Sequence, residues 1–181
     1  SSSLRFTVGD YGRTQLQGIY NTPLNDKTAA RVALDYDKRD GFLENQVNGV
    51  DDINNRDRTS VKGQMLFEPN DEMQVRVIGN YFSADEACCG AVVFSRSAAF
   101  DMPTILAGAP FNLDVASPST DREDFETARN FETIQKQDET GLQIDYEWNM
   151  PNGITFFNSA AYSDYEMSGQ TDADQTALDF I

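Results

Sequence analysis

Asp51, Asp52, Asn54, Asn55 and Asp57 crowd hard oxygen donors into one short stretch, the ligand type that calcium prefers. The stretch lacks the fixed glycine and terminal glutamate of an EF-hand loop, so a solvated Asx-rich loop is the competing reading. Asp145 and Glu147 stand two residues apart and share a strand face, a spacing that suits paired-carboxylate chemistry. Any polar-faced strand supplies such pairs, and no third group marks this one. The two cysteines, Cys88 and Cys89, are adjacent. With no third cysteine, neither pairs elsewhere within the chain. An oxidised vicinal turn, two free thiols and a ligand contact all remain open.

What is missing narrows the chemistry further. The chain has no histidine, which removes a histidine-based triad and the usual zinc sites. Among its 181 residues, 30 acidic against 14 basic side chains leave a net charge of −16. Nucleic acid is therefore not an expected partner, because phosphate binding is supplied by Lys and Arg. The acidic residues gather at 44–57, 121–126, 138–139 and 172–174. Solvated loops explain them, and a negative mouth attracting cations is the functional alternative. No enzyme activity and no cofactor are expected.

The elements that must position these groups are strands. In 59–85, Thr59, Val61, Gly63, Met65 and Phe67 alternate with Ser60, Lys62, Gln64 and Glu68. After Glu68-Pro69-Asn70-Asp71, Met73, Val75, Val77, Gly79 and Tyr81 alternate with Gln74, Arg76, Asn80 and one apolar exception, Ile78. Period two puts successive side chains on opposite faces, so this is a hairpin of two half-apolar strands. The pattern recurs at 13–37 around a turn at 22–26, and at 141–165 around Met150-Pro151-Asn152-Gly153. With a strand at 4–9, about seven strands are expected. A short helix is conceivable over 121–137, although Phe125, Phe131 and Ile134 are sparse. Only 39% of the residues are hydrophobic, which suits a wall apolar on alternate positions better than a packed core. Short turns at one end of the strands, and long loops (40–58 and about 86–139) at the other, predict part of an all-β transmembrane barrel of antiparallel up-and-down hairpins.

The early strands resemble those of TonB-dependent outer-membrane receptors. The motifs are Ala29-Ala30-Arg31-Val32-Ala33, Arg39-Asp40-Gly41-Phe42, Asn55-Arg56-Asp57-Arg58 and Lys62-Gly63-Gln64-Met65-Leu66-Phe67-Glu68-Pro69, in that order. The likeness covers about residues 4–90, and 140–166 in style. It implies that residues 1–181 are a fragment of a receptor barrel domain in a Gram-negative outer membrane, with the plug domain and remaining strands absent. It also implies uptake of a scarce ligand, a ferric siderophore first, or cobalamin or a glycan. The partners would be outer-membrane lipid, the ligand, and a TonB-type energy-coupling protein acting through the plug. Some branches of the family carry a Cys-Cys pair after this strand.

Within that resemblance, Arg31 and Arg76 are lumen-facing cations available to an anionic ligand or to plug carboxylates, with Arg31 also a wall position. Tyr81 and Phe82 lie near the outer rim, as ligand contacts or as girdle anchors. Further ligand contacts are expected in the long loop. The alternatives are a calcium-binding or adhesive extracellular β-protein using Asp51, Asp52 and Asp57, and a soluble β-enzyme using Asp145 and Glu147.

Overall fold

Alternation becomes strands wherever the sequence shows it. A computed structural model describes residues 1–47, 49, 52–92, 95, 105, 108, 118–172 and 177. Its strands are β1 (Ser2–Gly9), β2 (Arg13–Asn25), β3 (Thr28–Arg39), β4 (Glu44–Asn45), β5 (Arg56–Asn70), β6 (Met73–Glu86), β7 (Glu126–Thr127), β8 (Ile134–Asn149) and β9 (Thr155–Gln170). Seven of these form one mostly antiparallel sheet in the order β1-β2-β3-β5-β6-β8-β9, so neighbours in the chain are neighbours in space. The sheet is open, with β1 and β9 as its edges. No helix among the described residues is long and apolar enough to cross a membrane, which does not bear on strands.

The chain divides into two compact units. One takes Ser1–Lys38, Asp57–Ala84 and Gln137–Met167; the other takes Arg39–Arg56, Asp85–Lys136 and Ser168–Ile181. In the first, register sorts the side chains. Phe6 faces Leu16, which faces Tyr36, while Arg5 faces Gln17, which faces Asp35. Val61 faces Tyr81 and Met65 faces Val77, while Lys62 faces Asn80 and Leu66 faces Arg76. Cross-strand contacts carry the two faces on through β8 and β9. Asn80 Nδ2 donates to Glu139 Oε1 at 3.3 Å on the polar side, and the Tyr146 and Phe156 rings lie 6.2 Å apart on the apolar side. The apolar side is open: Leu4, Phe6, Val8 and Tyr162 each keep 65–76% of their surface.

Three boundaries differ from the pattern in the sequence. β2 and β5 run past Pro23 and Pro69, with register irregularities at Pro23/Asn25 and Phe67/Asn70. Proline lacks a ladder donor and is accommodated where pairing slips. β8 begins at Ile134, so the 86–139 loop is shorter than expected. Gln135, Lys136, Gln137, Asp138 and Glu139 are polar on both faces, and alternation of polarity vanishes although pairing continues. The helix conceivable over 121–137 is absent. That stretch holds β7 and the start of β8, because the 126–127 backbone pairs in parallel with β4.

The second unit carries most of the buried residues. Leu43, Ile53 and Ala128 are each 1% exposed, as are Thr127 and Arg129. Leu43 and Ile53 form an antiparallel bridge, each N–H donating to the other's carbonyl, at 3.2 and 3.0 Å. Glu44 N–H donates to Phe125 O and Gln46 N–H to Thr127 O, at 2.8 and 2.9 Å. Gly90 packs on this cluster, with no space for a β-carbon beside Leu43 Cδ2 and Ile53 Cδ1. Gly90→Val is therefore expected to cost the second unit about 1–3 kcal/mol by overpacking. Amide exchange at Leu43 and Ile53 checks this; unchanged protection would show that the cluster can give way.

Candidate functional site

Two sets of polar side chains are the candidates, one in each unit. On the polar face of the sheet, Arg31 and Arg76 are both exposed. They share a groove of about 530 Å³ with Asn21, Gln64 and Leu66 among its lining residues. Alternation alone brings them to one face, and the β3–β5–β6 strand order brings them to one groove. Arg31 is three residues into β3 and Arg76 three into β6, so both sit next to the short turns and away from the long-loop ends.

Tyr81 and Phe82 do not join them. Phe82 lies six residues along β6 from Arg76, about 20 Å at the strand rise. As consecutive residues they point to opposite faces: Tyr81 stands opposite Val61 on the apolar side, and Phe82 opposite Ser60 on the polar side. The Tyr81 hydroxyl lies 3.4 Å from Asp138 Oδ1, beside the strand's exit from the apolar face. The four residues thus form one pair near the turns and two separate positions near the loops.

The calcium-type cluster is dispersed by its own hydrogen bonds. Asp51 lies outside the described residues. Asp52 Oδ1 accepts Asn45 N–H at 3.2 Å, and Asp57 pairs with Lys38 at 3.6 Å in the first unit. Asn54 and Asn55 are turned toward residues 87–90. Among the described residues, no three acidic or cysteine side chains are placed to hold a metal ion. Asp145 accepts from Gln143 Nε2 at 2.8 Å and from Ser159 Oγ at 2.7 Å, while Glu147 accepts from Asn149 Nδ2 at 3.2 Å. Those carboxylates are tied into the polar ladder of β8 and β9.

The second unit gathers side chains that periodicity does not reveal. Arg129 is its hub. The backbone N–H of Arg129 donates to Asn45 Oδ1 at 3.0 Å, and Asn45 Nδ2 donates back to the Arg129 carbonyl at 3.1 Å. The guanidinium donates to Thr133 Oγ1 at 2.9 Å, Thr171 Oγ1 at 3.5 Å and the Cys89 carbonyl at 3.3 Å. One buried cation therefore ties together all three segments of the unit. Burial lowers the Arg129 pKa from its ordinary value, and the nearby Asp172 charge opposes that shift. The only hint in the sequence is an arginine standing among acidic and amide residues.

Cys88 and Cys89 are joined by a disulfide across a cis peptide bond. Asn54, at φ 65°, takes the left-handed backbone that asparagine tolerates better than most residues. That conformation lets its side-chain amide bond Gly90 twice, donating to the carbonyl at 3.1 Å and accepting the N–H at 2.9 Å.

Comparison with known proteins finds no matching family model, curated protein or solved structure.

Removing the hub leaves its acceptors and Asp172 buried. Arg129→Met is expected to cost the second unit about 3–5 kcal/mol. Arg129→Lys should cost less but not restore the wild-type value, because one ammonium cannot reproduce the guanidinium fork. Limited proteolysis within 39–56 and 118–136 reads both. Equal resistance of Arg129→Met and wild type would remove Arg129 from this role.

Proposed function

We propose that this chain forms part of the wall of an outer-membrane active transporter of the TonB-dependent type. Such a transporter takes up a scarce ligand with energy passed on by a TonB-type coupling protein. The observation that supports it best is the apolar face of the sheet, exposed along β1, β2, β5, β6 and β8, whose opposite faces are mainly polar. A soluble sandwich would cover such a face; lipid is the solvent in which it needs no cover. The apolar positions from Leu142 to Met150, on β8 and the residue that follows it, cover about 27 Å at the strand rise. Tilted by about 40°, this stretch rises about 21 Å, most of an apolar band of about 25 Å. Beyond it the apolar face turns polar at Tyr81–Asp138 and Lys38–Asp57. In that setting a closed wall needs further strands to pair with β1 and β9, since an unpaired ladder in lipid is costly.

The polar face would line the lumen. The groove at Arg31 and Arg76 offers two cations near the short turns, which suits an anionic group on that side of the wall. The segments of the second unit would be the outer loops, where ligand is first met. Ferric siderophores are the ligand class to test first, ahead of cobalamin or a glycan. Nothing in the polar ladder calls for covalent chemistry.

The gene product expressed in a Gram-negative host is expected in the outer-membrane fraction, with a compact form that migrates differently before and after boiling. A soluble protein of unchanged migration would end the transporter proposal. Leu142→Arg should lower the stability of the compact form by about 2–4 kcal/mol, the cost of a cation on the lipid face. Gln143→Arg, one residue along and on the other face, should cost little. Equal effects of the two substitutions would contradict the assignment of lipid and lumen faces.

A further inference from the structure

We propose that Cys88–Cys89 is a reversible thiol–disulfide site, built so that the surrounding chain keeps its place when the bond between the sulfurs opens. The inference is independent of the transport proposal and rests on the frame around the pair.

That frame does not involve sulfur. Before the pair, Ala87 N–H donates to Asn55 Oδ1 and the Ala87 carbonyl accepts Asn54 N–H, both at 2.6 Å. After it, Gly90 is bonded both ways by the Asn54 side chain and seated on Leu43 and Ile53. Between them, the Cys89 carbonyl accepts from the buried Arg129 at 3.3 Å. Each anchor is a backbone group of residues 87–90 held by a partner distant in sequence. Breaking the disulfide removes none of these bonds.

The two sulfurs are not equivalent. Cys89 is exposed, whereas Cys88 is half-buried with its sulfur in close contact with Gln135 Oε1. The same oxygen lies 3.6 Å from Cys89 Sγ. In the disulfide neither sulfur carries a proton, so this acceptor receives nothing from them. In the dithiol each S–H is a weak donor, and an acceptor already stands beside both. Gln135 thus complements the reduced state better than the oxidised one.

The accessible sulfur also sets the order of steps. The thiolate of an external reductant, a small thiol or a dithiol, attacks Cys89 Sγ and forms a mixed disulfide. The Cys88–Cys89 bond breaks, and Cys88 leaves with the electron pair and takes a proton from water. A second thiolate of the reductant then attacks its own sulfur in the mixed disulfide. This releases the oxidised reductant and leaves Cys89 as the thiolate, which takes up a proton. Two electrons pass to the protein, and an oxidising disulfide reverses the sequence.

The test uses the intact protein in detergent, equilibrated with reduced and oxidised dithiothreitol at set ratios, alkylated, and weighed by mass spectrometry. Both cysteines should gain label together, lose it on reoxidation, and leave the proteolysis pattern of 39–56 and 85–92 unchanged. Gln135→Leu should lower the dithiol-to-disulfide ratio about twofold or more at a given dithiothreitol ratio, the effect of losing an acceptor for weak S–H donors. The double substitution Cys88→Ala with Cys89→Ala should retain the wild-type proteolysis pattern. New cleavage at 85–92 in the reduced protein or the double variant would overturn the proposal. An unchanged ratio in Gln135→Leu would overturn it equally.

Discussion

Strand register is the constraint on which the sheet depends. Side chains alternate with period two, so a one-residue slip between β5 and β6 would place Lys62 and Arg76 on opposite sides of the sheet. The same slip anywhere across the seven strands would interrupt the apolar face. Specification comes from contrast. Val61, Met65 and Phe67 share one side with Val75, Val77 and Tyr81, while Lys62 and Gln64 share the other with Asn80. The ladder contacts reinforce this from the polar side, where Gln17 bonds Asp35 and Gln143 and Ser159 both bond Asp145. Gly141 permits the Asn80 side chain to reach Glu139, since a β-carbon there would strike Asn80.

The second unit follows another logic. Its segments lack sustained alternation, and they are held by side-chain amides, a buried guanidinium and a few apolar residues. Arg129 and Asn45 bond each other reciprocally, and Asn54 does the same with Gly90. These pairs act as short pieces of ladder made from side chains, the first extending the two-residue β4–β7 pairing. Arg39 adds its guanidinium to the set, 5.0 Å above the Phe42 ring, with Nη2 donating to the Asn54 carbonyl. Such bonding is specific but local, and it places residues 87–90 without help from the disulfide.

The two units also use charge differently. In the sheet, ion pairs such as Arg13–Asp37, at 3.1 Å, join neighbouring strands and take their place in the ladder. In the second unit, the charge of Arg129 is withdrawn from solvent, with Nη1 and Nη2 donating to hydroxyl and carbonyl oxygens. The acidic excess of the sequence is therefore not one feature with one role. Some carboxylates are cross-strand partners, some cap turns, and Asp172 is buried near the hub.

The strand pairs and their faces were legible in the sequence because polarity with period two is a local property. Met65 and Phe67 announce their side of the sheet by the residues next to them. The same signal failed at 134–139, where both faces are polar and nothing alternates although the strand continues. It does not bring Tyr81 and Phe82 to one face, since adjacency in the sequence is opposition in a strand. It could not locate Arg31 and Arg76 in a common groove, because that follows from three strands lying side by side. Tertiary structure alone decided the roles of Asn54, Arg129 and Gln135. Each bonds groups far away in the chain, and no short-range pattern records such a meeting.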